Sequence, residues 1–195
     1  MRKAMLFLII VLCFVPAFAS DAVSLSDYLA SSEYSWFLTG KTDYTVQAMM
    51  VSTPKDVYNP LEDVSYTAQP NGTDVIIKGT AGEEWVSPLE KVASTYTLPD
   101  GSAIDAASFP PDEYIDLKTI GEPDTNFAMF IPVETIVTVE TAWGDVLTAN
   151  NPAVEHGDGD YLVCRAADGK PDLSDVWVVN GMTFPHTYDM TNSGL

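Results

Sequence analysis

Cysteine is almost absent. The chain holds two, Cys13 and Cys164, and Cys13 lies inside an apolar stretch read below as a leader. One remaining thiol closes no internal disulfide, so the fold has to be held by packing. A catalytic thiol wants a basic or imidazole neighbour. Cys164 instead continues the apolar run Tyr161-Leu162-Val163 and is read as a strand residue. Histidine is as scarce, with only His156 and His186. A zinc site needs clustered His and Cys, which this composition does not supply. No Ser stands in a nucleophile-elbow context, so a Ser-His-Asp or Cys-His arrangement has no local support. There is no P-loop and no dinucleotide fingerprint.

Basic side chains are few. Nine Lys and Arg stand against 28 Asp and Glu, for a formal net charge of −19. A chain this acidic repels phosphate backbones and anionic membrane surfaces, so no nucleic-acid partner is expected. Aromatic and β-branched residues are too plentiful for a disordered chain. Long apolar runs are missing after the N-terminus, so no membrane span is expected in the mature chain. At the N-terminus, Arg2 and Lys3 precede the apolar run Ala4 to Val15, Pro16 breaks it, and Ala17-Phe18-Ala19 forms an A-x-A cleavage pattern. This reads as a signal peptide cut near Ala19/Ser20, with a periplasmic or extracellular product.

What is present is a repeat. VWVVNGMTFPHTY, Val176 to Tyr188, echoes EWVSPLEKVASTY, Glu84 to Tyr96. When Trp85 and Trp177 are aligned, Val86 matches Val178, Val92 matches Phe184, and Thr95-Tyr96 matches Thr187-Tyr188. Upstream, Asp74-Val75-Ile76-Ile77 pairs with Asp160-Tyr161-Leu162-Val163, Thr67-Ala68 with Thr148-Ala149, and Asp63-Val64 with Asp145-Val146. Order is kept and loop lengths differ, as expected of an internal duplication.

Both copies have β composition. Strands are expected over Tyr44–Val51, Val64–Ala68, Asp74–Lys78, Glu84–Val86 and Thr95–Thr97. In the second copy they fall over Ile136–Thr141, Val146–Ala149, Asp160–Cys164 and Val176–Val179. Gly79 to Gly82 reads as a hairpin turn. Ser87-Pro88-Leu89-Glu90 reads as a helix start, with Ser87 as cap and Glu90 closing a capping box. The fold class is therefore mainly β, in two tandem copies of a hairpin, a short helical turn and a closing strand, in tandem or packed as one pseudo-symmetric unit. The expected organisation is a leader over 1–19, an N-terminal segment with a short helix over 20–43, and module 1 over 44–100. A linker or excursion over 101–125, module 2 over 126–190 and a tail over 191–195 follow. Trp, the apolar residue after it and Tyr would fill one core in each module.

Gly159-Asp160-Tyr161-Leu162-Val163, Val176-Trp177-Val178 and Phe184-Pro185-His186-Thr187-Tyr188 resemble a small β module of uncharacterised, often phage-associated bacterial proteins. That pattern reads G-D-[WY]-[LI]-[IV], then a short strand, then F-x-x-T-Y. The Glu that follows T-Y there is replaced by Thr97 and Asp189 here, and the first copy has Thr73-Asp74-Val75 and Val92. The resemblance implies a bacterial source and a small β fold. It carries no catalytic residues.

Paired carboxylates such as Glu83-Glu84, Asp112-Glu113 and Asp158/Asp160 read as solvated acids. Acid–base work would need two of them held across a cleft. No cofactor is expected. The one cation candidate is the loop from Asp168 to Asp175, where Asp168, Asp172 and Asp175 could converge on Ca²⁺. It lacks D-x-D-x-D-G, has Lys170 in its middle, and reads more plainly as a polar turn. Asn71-Gly72-Thr73 matches a glycosylation sequon but reads as a tight turn. The expected function is non-catalytic binding, envelope association or protein interaction, with an unidentified protein or glycan as partner. The alternative is a secreted hydrolase with a carboxylate site between the modules. Buried Trp85 and Trp177 and no cleft are expected.

Overall fold

Turn residues divide the chain into short strands that no single segment could stabilise alone. The computed structural model describes residues 21–31 and 33–195; the leader reading of 1–19 lies outside them. The first half contains β1 (Val23–Ser24), α1 (Leu25–Ser31), β2 (Phe37–Lys41), β3 (Thr45–Met49), β4 (Lys55–Asn59), β5 (Val64–Ala68), β6 (Asp74–Lys78), β7 (Glu84–Pro88), α2 (Leu89–Thr95), β8 (Tyr96–Thr97) and β9 (Ile115–Thr119). The second contains β10 (Glu122–Pro132), β11 (Val137–Glu140), β12 (Val146–Ala149), β13 (Gly159–Ala167), β14 (Lys170–Val179) and α3 (Phe184–Thr187). The molecule is mainly β, as the composition predicts.

Local chemistry sets the turns. Asn71 Oδ1 accepts from the amides of Thr73 at 2.8 Å and Asp74 at 2.9 Å, closing the turn into β6. Gly82, at φ 84°, supplies the left-handed residue of the β6–β7 hairpin. The expected Ser87 cap is not formed. Ser87 belongs to β7, paired with Val75, and Pro88 is the N-cap without a side-chain bond. The Leu89 amide instead donates to Thr73 O at 2.7 Å. The sheet takes Ser87 because its ladder partner is already in place.

Two larger sheets carry the fold. One has the order β7-β6-β3-β9-β8, the other β14-β13-β10-β2. Two hairpin layers, β4-β5 and β1-β11-β12, pack against them. The bonded pairs within each larger sheet are antiparallel. Registers agree at the aligned positions. Ile77 faces Trp85 on one side and Ala48 on the other; Val163 faces Trp177 and Ala128.

Of the two readings of 101–125, the ordered excursion describes it: β9 within the span lies inside the first sheet, between β3 and β8. Ile104 and Phe109 from the same span are buried in the first core, and β10 already starts at Glu122. The N-terminal segment holds the expected helix, but it also holds β2, which pairs with β10 of the second half.

Each half packs its own aromatic core. Trp85 is partly buried against the core that holds Val92 and Tyr96, and Trp177 against the core that holds Phe184 and Tyr188. Phe184 is fully buried between Tyr161 and Tyr188, with ring centroids 3.8 Å and 4.7 Å away and nearly parallel planes. A second layer in each half joins the sheet to its hairpin, through Met49, Ile76 and Val57 in one and Met129, Leu162 and Val139 in the other. Such burial is the main source of stability in a fold without disulfides.

Candidate functional site: a cleft between the halves

The tips of the β4–β5 and β11–β12 hairpins carry apolar side chains that reach solvent. Val64 is 39 % exposed and Val146 67 % exposed. Both line a cleft of about 590 Å³ that draws its walls from the two halves. The expectation of no cleft is thus overturned, because hairpin tips from separate halves meet over the ends of β7 and β14. The volume falls within the range of small-ligand sites.

The first wall is built by Leu61, Tyr66 and Trp85, with the carboxylates of Glu62 and Glu83. The opposite wall carries Leu147, Val154 and Val178, with the amides of Asn151 and Asn180. No Lys or Arg is among the lining residues. The Tyr66 hydroxyl donates to Glu62 Oε2 at 3.0 Å, and burial together with this acid pushes its pKa up to about 12. Glu83 is 9 % exposed. Burial raises its carboxyl, the Ala81 amide at 3.0 Å partly offsets this, and the charge of Glu62 adds to the rise. A carboxylate held this way gains from a neighbouring positive charge.

His156 and Asp160 form the floor, and both are engaged. His156 Nδ1 lies 2.8 Å from Asp160 Oδ1, and Nε2 lies 2.6 Å from the Asn151 carbonyl. Both partners are acceptors, so the two bonds are made together only when both ring nitrogens carry hydrogen. Asp160 also accepts from the amides of Asn150 at 2.7 Å and Gly181 at 2.9 Å. Asn150 Nδ2 in turn donates to three carbonyls, those of Ile131, Pro132 and Thr135. This network ties four chain segments together and leaves His156 no free nitrogen for proton transfer.

The other candidates are scattered. Glu84 accepts from Tyr114 at 2.6 Å, and Asp112 is bonded to Ser52. His186 is exposed on α3. Cys164 is fully buried at the centre of β13, and burial pushes its thiol up to about 11, unsuited to nucleophilic work. Asp168 to Asp175 is not an open loop: Ala167 pairs with Lys170 and Ala166 with Pro171 across a tight hairpin. Asp172 there accepts from Ser174, and Asp175 lies 3.9 Å from Arg165. Among the described residues, no group of three or more His, Cys, Asp or Glu side chains stands together as a metal site. Trp177 does not share the cleft with Trp85; the Arg165 guanidinium covers it at 5.6 Å.

Comparison with family models, with curated proteins and with solved structures returns no match to this chain.

Proposed function

We propose that the protein is a non-catalytic binding protein and that the cleft between its halves holds the ligand. The observation that carries this reading is the cleft's lining: an aromatic and apolar wall, two carboxylates and several amides, with no Lys or Arg. A neutral or positively charged ligand suits it, either a small molecule with an apolar face or one end of a glycan. The indole of Trp85 offers the flat apolar surface, and Glu62, Glu83, Asn151 and Asn180 offer polar contacts. His156 and Asp160 at the floor are taken up by the fold's own hydrogen bonds, which favours binding over turnover. With the leader reading, the site would work outside the cytoplasm.

Calorimetric titration with matched cationic, neutral and anionic aromatic compounds, and with neutral oligosaccharides, tests this. Binding of a cationic or neutral probe that Trp85→Ala weakens at least about tenfold is expected, given what one aromatic contact contributes. Failure of every probe, or a preference for anions, removes the proposal.

A hydrolase remains the second reading because Glu83 is a buried carboxyl in the cleft with a raised pKa, as a general acid requires. It predicts that Glu83→Gln keeps ligand affinity and abolishes turnover of a glycoside bound there.

A further inference from the structure

β2 and β9 occupy the same place in the two larger sheets. β9 lies between β3 and Tyr96 of β8, and β2 lies between β10 and Tyr188, which pairs with Lys41. Yet in the chain each strand leads into the opposite half. β2 runs into β3 through residues 42–44, and β9 runs into β10 through residues 120–121. From this we infer that residues 37–97 and 115–188 are two copies of one strand-lending unit. Each gives its first strand to the other's sheet, so the partner such a unit is built to bind is a second unit of the same kind.

The main-chain bonds support the equivalence. The Thr42 amide donates to Thr187 O at 3.0 Å, and the Ile120 amide donates to Thr95 O at 3.3 Å. Thr95 and Thr187 are aligned in the repeat. Asp74 accepts the amide of Gln69, just after β5, and Asp160 accepts that of Asn150, just after β12. Ala48-Met49 of β3 and Ala128-Met129 of β10 hold the same registers against β6 and β13.

The two crossing links touch. A Cβ on Gly121 would come within 2.7 Å of Asp43 Oδ1, and Lys118 Nζ bonds Asp43 at 2.9 Å. Within β2, a Cβ on Gly40 would come within 2.2 Å of Glu122 O, so the lent strand sits against the main chain of its host. The covalent tie between the units is the span 98–114, which opens with a turn from Leu98 to Gly101 that is exposed from Pro99 onward. Ser193 and Leu195 line one recess with Glu33, Tyr34 and Ser35, so the last residues lie beside the approach to β2.

The test cuts that tie in the full-length chain. A protease site is placed in the exposed stretch 101–103, the protein is cleaved, and the product is run on a sizing column in native buffer. The expected result is co-elution of both pieces at the uncut size and a melting temperature that now rises with concentration. Separation in urea should leave each piece without stable structure, and mixing should restore the complex. Pieces that part in native buffer, or a piece that folds alone, would overturn the inference. A circular permutant running 103–195, a flexible joiner and then 21–102 gives a second test. It should fold with the parent's circular dichroism spectrum, and failure to fold counts against equivalent units.

Discussion

His156 and Asp160 lie 2.8 Å apart in a region that solvent barely reaches, with exposures of 6 % and 1 %. The pair joins the end of β12, the loop before β13 and the turn after β14. Asp160→Ala would leave the ring and two main-chain amides without their acceptor. Each buried donor left unsatisfied costs about 1–3 kcal/mol. Urea unfolding followed by circular dichroism should show a loss of that size, and a change below about 1 kcal/mol would mean the network is slack.

Glu83 gives a pH signature opposite to that of most carboxylates. Burial raises its folded-state value, so the folded protein holds this proton at a pH where the unfolded chain has released it. Its effect on stability is absent at low pH. It appears as a loss while pH rises from the ordinary glutamate value, about 4.3, through the raised folded one, and is constant above. Glu83→Gln keeps an acceptor for Ala81 and lacks this loss. The variant should match the parent at acidic pH and exceed it at neutral pH in parallel denaturation curves.

Cys164 should be unreactive in the native state. Its side chain is fully buried and its thiol is pushed up to about 11. Labelling with a disulfide reagent at neutral pH should proceed at the rate of global unfolding and rise in step with added urea. Rapid labelling without denaturant would show that β13 opens locally.

Phe184→Ala removes the middle ring of the Tyr161-Phe184-Tyr188 stack. A loss of about 3–5 kcal/mol is expected for a fully buried Phe. The near-ultraviolet dichroism of the two tyrosines should collapse with it. A variant that keeps both stability and signal would place the second core elsewhere.

Much of this fold could be read directly from the residues. β6 and β13 stand out as Asp-led apolar runs, and the spacing from Trp to Tyr marks the two cores. β9 is legible as well, since Ile115, Leu117 and Thr119 alternate with Asp116 and Lys118, but the prolines on either side favour a linker or an excursion. β2 is not, because Phe37-Leu38-Thr39-Gly40-Lys41 has weak alternation and its partner β10 is remote in the chain. Pro171 made 170–175 look irregular, although an edge strand such as β14 needs no amide there. The cleft depends on two hairpin tips meeting across the halves, and no local pattern encodes that. Glu83 was visible only as half of an acidic pair, and its burial follows from the tertiary arrangement.

Strand lending also sets an order of events in time. β2 leaves the ribosome early, yet the strand it joins begins only at Glu122. Until then Phe37, later buried, has no sheet to enter. Closure must wait for contacts distant in sequence, which slow folding and leave a strand edge open to other chains meanwhile. Refolding of this protein should therefore be limited by the capture of β2, long after the hairpins have formed.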